Sequence, residues 1–195
     1  MHFSHRNIIR YCDRPFDDVE EMNDWIATRW LEQVAPEDEV WVLGDAVMGK
    51  LDVSLPVFSR LSGRITLVVG NHDRPFRAAG APDEVWDERY LAAGVGRLIH
   101  GSHTVTVAGV EVCVCHFPYR GDSHDEDRFA DHRPTDIGLP LLHGHVHQSW
   151  RRNGRMINVG VDAWAGNLVS DTDIATLLRQ DLAQGQLVAP LPWRK

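Results

Sequence analysis

Ile65-Thr66-Leu67-Val68-Val69-Gly70-Asn71-His72-Asp73 decides the fold. A short run of apolar and β-branched residues, stopped by a glycine, fits a strand covered on both faces better than a helix. Three residues with ligand or proton-donor side chains follow the glycine at once. Glu39-Val40-Trp41-Val42-Leu43, ahead of Gly44-Asp45, repeats the arrangement. Polar residues just beyond the carboxyl ends of buried strands are where open α/β sheets place their ligand sites.

Working outward, residues 51–61 read as a helix despite Pro56, ended by Gly63, which completes a βαβ rhythm. Upstream, Asp17 is placed to cap a helix over 18–35, in which Val19, Met22, Ile26, Trp30 and Val34 recur at helical spacing and Pro36 closes the run. From His103 the pattern changes: 104–107, Gly109 and 110–115 read as a hairpin. Alternation there sends Cys113 and Cys115 to one face, Val114 and His116 to the other. Residues 119–134, rich in Asp, His and Arg and without periodicity, read as a surface loop of the kind that can serve as a lid. Residues 139–142 and 156–159 are further buried strands, and Asp171 is placed to cap a last helix to about Leu182. With no repeat or linker, one domain over residues 1–195 is expected.

Composition narrows the function classes. A chain with 43% hydrophobic and 25% charged residues is of the ordinary soluble globular type. Its formal net charge of −8 argues against a surface built for stable nucleic-acid binding. Divalent cations would offset carboxylates locally, so a nucleotide or nucleic-acid substrate stays open. There is no leader-like start and no apolar run of about 18 residues, so a cytoplasmic protein without a membrane partner is expected. Three cysteines are too few for a disulfide framework, and Cys113 and Cys115 read as core thiols. Gly94-Val95-Gly96 lacks the third glycine and the preceding strand of a dinucleotide-binding loop.

The chemistry lies in the clusters at strand ends. The Asn71 amide oxygen can ligate a hard cation, while His72 can donate a hydrogen bond or proton to a phosphoryl or leaving-group oxygen. An Asx turn would use the same residues. Gly144-His145-Val146-His147 sends two imidazoles to one side of an extended segment, which suits one ligand on each of two neighbouring metals. A surface histidine cluster or a single zinc site fits too, and His143 adds a third alternate imidazole. Asp45 alone is a common turn or cap residue, and His116 alone a common core histidine. Met1-His2-Phe3-Ser4-His5 reads as the back half of an Asp-x-His metal motif. Taken in order, His2, Asp45, Asn71, His116, His145 and His147 form a set suited to hard or borderline divalent ions, and a pair of such ions can clamp both oxygens of an in-line displacement at phosphorus.

This order of motifs resembles the calcineurin-like metallophosphoesterases. More narrowly, His2-Phe3-Ser4-His5-Arg6-Asn7-Ile8-Ile9-Arg10-Tyr11-Cys12 with Arg14-Pro15-Phe16, and Asn158-Val159-Gly160-Val161-Asp162 near the end, are similar to the small bacterial and phage branch. The resemblance implies a four-layer α/β/β/α sandwich, its first central strand truncated in this chain. It implies a phosphodiesterase or phosphatase with two divalent ions, drawn from manganese, iron, zinc and nickel with manganese favoured. Asp45 would bridge the ions; Asn71, His116 and His145 would complete one site, and His2 and His147 would serve the other. A metal-bridging hydroxide would attack in line, with His72 as general acid or transition-state stabiliser. His5, Arg74 and Arg120 adjoin motif residues and are candidate contacts to the substrate's phosphate or leaving group. The family's first aspartate, two residues before the first histidine, has no counterpart here. The expectation is a start codon assigned too far downstream; the alternative is a non-catalytic module that keeps the fold as a binding surface. Neither the substrate nor the oligomeric state is set by these motifs.

Overall fold

Strands β1 (Glu39–Val42), β2 (Arg64–Val68) and β3 (Arg97–Ile99) pair in parallel in that order, with Val42 level with Leu67 and Val68 with Ile99. Ile65, Leu67 and Val68 are buried, as their run predicts. Each such side chain contributes about 1.5 to 3 kcal/mol by leaving water. The computed structural model describes residues 1–76, 84–179 and 187–193. Its chain forms two compact units, Met1–His100 and Gly101–Arg194, each with its own sheet.

In the first unit, α1 (Arg6–Tyr11) is followed by α2 (Val19–Gln33). The cap of α2 is Asp18 rather than Asp17: the Asp18 carboxylate accepts the Glu21 N–H at 2.8 Å, while the Asp17 N–H is bound by the Glu21 side chain. Its buried stripe is Met22, Ile26, Ala27 and Trp30. Trp30 Nε1–H donates to the Ser62 carbonyl at 2.9 Å, tying the helix to the approach to β2. The expected helix over 51–61 divides into α3 (Leu51–Ser54) and a 3-10 helix, Leu55–Arg60. Pro56 has no N–H and stands near the start of the tighter turn, where none is missed. Gly63 then reverses the chain at φ +88°, where an added Cβ would lie 2.8 Å from Val34. In α4 (Glu84–Ala92), Val85 and Leu91 are exposed and Tyr90 is buried, so no clean apolar period announces the helix in the sequence. Gly94-Val95-Gly96 is the turn from α4 into β3, where the Gly96 N–H donates to the Ile65 carbonyl.

No strand is expected before α1, but the structure pairs that segment. Phe3 makes a single parallel bridge to Val47, with the N–H groups of His2 and Phe3 donating to the Asp45 and Ala46 carbonyls at 2.8 and 2.9 Å. The opening residues are thereby tied to the segment that carries Asp45.

The second unit opens with the expected hairpin, β4 (Ser102–Val107) and β5 (Val110–Cys115). Its turn residues, Ala108 and Gly109, both have positive φ, the geometry that matches strand twist in two-residue hairpins. After β6 (Leu141–His143), β7 (Arg152–Asn153), β8 (Met156–Asn158) and β9 (Leu187–Val188), the sheet order is β4-β5-β6-β8-β7-β9. The β5, β6 and β8 neighbours run parallel, and β6 and β8 are buried throughout. Ser170, not Asp171, caps α5 (Asp171–Leu178) through a capping box with Asp173. The extension of this helix to Leu182 lies outside the described residues. Cys12, Cys113 and Cys115 are buried free thiols. Among the described residues, no helix is long and apolar enough to cross a membrane.

Candidate functional site

Two groups of the expected residues form, one in each unit. In the first, the loops after β1 and β2 are locked together by Asp73, which is buried. Its carboxylate accepts the backbone N–H groups of Asp45 at 2.8 Å, Gly70 at 2.9 Å and Ala46 at 3.0 Å. In return, the Asp45 Oδ1 accepts the His72 N–H at 2.8 Å. Burial, then the charge of Asp45, push the Asp73 carboxyl up to about 7 against the pull of those three donors.

Around Asp45 stand His2, His5 and His72. The His2 ring centroid is 5.3 Å from that of His5 and 5.9 Å from that of His72, and His5 and His72 are 6.4 Å apart. His2 Nε2 lies 3.7 Å from the Asp45 Oδ2. That is too long for a hydrogen bond, and near the roughly 3 to 3.5 Å that separates two ligand atoms bound at about 2.0 to 2.2 Å from one ion. Asn71, His72, Asp73 and Arg74 line a cavity of about 380 Å³, closed on its apolar side by Met48, Phe76 and Trp86. Of the expected substrate contacts, Arg74 is on this cavity and His5 beside His2 and His72.

In the second unit, His116 and His145 are buried with ring centroids 5.2 Å apart, edge to face. His116 follows directly on β5, and His145 stands two residues past β6. His147 is half-buried, its Nδ1 3.7 Å from the Asp162 Oδ2, again ligand spacing rather than a hydrogen bond. His143 does not join this group. It is fully buried in β6, its Nδ1–H donates to the Gly144 carbonyl at 2.8 Å, and its Nε2 meets no hydrogen-bond partner among the described residues. Burial pushes its pKa down to about 3, so the ring is neutral. Arg120 is exposed, and its charge acts on Asp136.

His2, Asp45, His145 and His147 share a backbone feature: their φ values are +63°, +51°, +66° and +48°. Non-glycine residues in this left-handed region cost roughly 1 to 2 kcal/mol each, and such strain gathers at functional sites. Both groups also supply donors of the right chemistry for divalent ions: carboxylate, amide oxygen and imidazole.

Sequence reasoning missed the residues that hold these groups in place. Asn158 Nδ2 donates to the His147 carbonyl at 2.7 Å and the Trp150 carbonyl at 2.8 Å, while its Oδ1 accepts the Gly160 N–H at 2.9 Å. The Asn158-Val159-Gly160-Val161-Asp162 segment was the available signal for both Asn158 and Asp162. The loop over 119–134 turns Asp122 inward until its side chain is fully buried and bound to His145. Nothing in the local sequence separates Asp122 from its exposed neighbours, Asp125 and Asp127.

Residues 22–171 match the model of the calcineurin-like phosphoesterase superfamily domain. The chain is 34% identical to the Gene 66 protein of Mycobacterium phage L5, over 91% of this chain and 90% of that one. It is 38% identical to the Gene 66 protein of Mycobacterium phage D29, over 75% and 82% of the two chains. It also shares a fold with a crystal structure, that of the protein of unknown function AQ665 from Aquifex aeolicus, at a TM-score of 0.69 and 27% identity over 90% of this chain and 94% of that one. With a two-sheet α/β architecture and ligand-rich strand ends in the family's order, the chain belongs to the calcineurin-like phosphoesterase superfamily.

Proposed function

We propose that this protein is a metal-dependent phosphoester hydrolase, a phosphodiesterase or phosphatase, that works with two divalent cations, manganese favoured. The observation that carries the reading is the set of left-handed, buried or half-buried ligand-type residues His2, Asp45, His145 and His147, held in place by carboxylates and an amide rather than by the core alone. Family membership supplies the assignment: Asp45, Asn71, His116 and His145 for one ion, His2, Asp45 and His147 for the other. Bound divalent ions lower the pKa of water and offset the charge of a phosphoryl group.

The chain's own residues do the rest. Asp73 fixes the angle at which Asp45 presents its Oδ2, and the His72 N–H occupies Oδ1. The His72 side chain is exposed at the cavity, where it can hand a proton to a departing oxygen. Arg74 offers a guanidinium at the same cavity, suited to a phosphate oxygen. His5 and Arg120 are proposed as further contacts to the substrate.

The test is hydrolysis of bis(p-nitrophenyl) phosphate and p-nitrophenyl phosphate by metal-stripped protein to which manganese is returned. The expected result is manganese-dependent turnover, which Asn71→Ala and His116→Ala each reduce more than about 100-fold, since even outer-shell partners of a metal cost 10- to 100-fold. Manganese-loaded protein with no turnover of either ester would overturn the reading.

A further inference from the structure

The loop over 119–134 contains one side chain that does not behave as part of a surface loop. Asp122 Oδ2 lies 3.0 Å from His145 Nε2, and both side chains are almost wholly buried. Its oxygens are saturated with donors. Oδ1 accepts Arg128 Nη2 at 2.8 Å, the His124 N–H at 3.2 Å and the Ser123 hydroxyl at 3.3 Å; Oδ2 also accepts the Arg128 N–H at 3.2 Å. Arg133 pins the loop around it, donating to the carbonyls of Pro118, Gly121 and Arg128 at 3.2, 2.9 and 2.9 Å. At Gly121 the backbone takes φ +89° and passes so close to Trp150 that a Cβ would lie 2.7 Å from its ring. That close approach brings Asp122 inside.

A carboxylate surrounded by donors can only accept. The proton shared with Asp122 therefore belongs to His145 Nε2, which places the lone pair of the neutral ring on Nδ1. A metal-binding histidine typically donates its other N–H to a carboxylate, which fixes both tautomer and ring orientation.

We infer that Asp122 is a positioning residue for His145, holding it as the Nε2–H tautomer so that Nδ1 is its metal-ligand atom. This rests on the reading of His145 as a metal ligand. Phe117 and Phe129, with ring centroids 5.0 and 5.6 Å from that of His145, wall the ring in and leave the hydrogen bond to set which nitrogen carries the proton.

The experiment is ¹⁵N NMR of the imidazoles in the full-length, metal-free protein, with the His145 signals assigned through His145→Gln, followed by manganese titration. Wild-type His145 is expected as the Nε2–H tautomer. Asp122→Asn is expected to lose that preference and to weaken manganese binding 10- to 100-fold. Asp122→Glu, which keeps the acceptor, is expected to restore the tautomer and part of the affinity. A wild-type His145 protonated on Nδ1 overturns the inference without any variant, and so does an Asp122→Asn protein that keeps both tautomer and affinity. A tautomer that changes while manganese affinity does not overturns the ligand role of Nδ1. If wild type shows the bond and its metal dependence yet turns over no ester, the hydrolase reading fails and this inference stands.

Discussion

Asp73 holds Asp45 by the backbone: its carboxylate accepts the Asp45 N–H at 2.8 Å and bridges to Gly70 and Ala46, so one side chain fixes both ligand-bearing loops of the first unit. Replacing Asp73 by alanine would leave those buried donors unmatched. An unmatched buried polar group costs about 1 to 3 kcal/mol, so a loss of at least about 2 kcal/mol is expected in urea unfolding. Asp73→Asn keeps one acceptor oxygen and is expected to lose less. Equal midpoints for wild type and Asp73→Ala would show that the clamp contributes nothing.

Divalent ions that bind only the folded chain stabilise it in proportion to the logarithm of their concentration over Kd. Manganese at about 100 times Kd is expected to add about 2.7 kcal/mol, seen as a rise in melting temperature that chelator reverses. Asp45→Ala, which removes the proposed shared ligand, is expected to abolish most of that rise. Full manganese stabilisation in the variant would remove Asp45 from the ligand set.

His143 should set part of the acid limb of stability. Its folded pKa is pushed down to about 3 by burial, against about 6.5 in an unfolded chain. Between those values the unfolded chain holds the proton and the folded one does not. Stability therefore falls as pH drops from about 6.5 towards 3, with a slope from this group of up to about 1.4 kcal/mol per pH unit. His143→Asn, whose amide can still donate to the Gly144 carbonyl, is expected to have a shallower slope in urea titrations from pH 7 to pH 4.5. An unchanged slope would place the proton uptake elsewhere.

The thiols give an independent check on the core. Burial pushes Cys115 up to about 12 and raises Cys113 as well, and Cys12 is buried. The thiolate is the nucleophile, so none of the three should react with Ellman's reagent in the native protein at pH 8. All three should react in guanidinium. Rapid labelling of Cys113 or Cys115 without denaturant would contradict the packing of β5.

Much of this was legible because apolar runs and turn chemistry act locally. The strand carrying Ile65, Leu67 and Val68, the hairpin turning at Ala108 and Gly109, and the buried stripe of α2 follow from residues close in sequence. Helix caps slipped by one residue, because neighbouring Asp17 and Asp18, or Ser170 and Asp171, offer nearly equal chemistry and the chain's approach angle selects between them. The short elements Arg97–Ile99, Arg152–Asn153 and Leu187–Val188 gave no warning, since strands of two or three residues carry too little periodicity. At the site, the ligand-type residues could be named in advance, but their supports could not. Asp73, Asp122 and Asn158 act on residues 28, 23 and 11 positions away, and such pairings are set by the fold rather than by local pattern.

The left-handed backbone at His2, Asp45, His145 and His147 has a consequence for how the chain would change under selection. Glycine accepts that conformation with no steric cost, so at these four positions the fold would gain by losing its functional side chain. Chemistry and robustness therefore pull the same codons in opposite directions. In a population selected for thermal survival alone, these positions would be among the earliest to drift to glycine. In one selected for turnover they would stay fixed while the surface around them varied, so a lineage's codons at these four positions would record which pressure it had experienced.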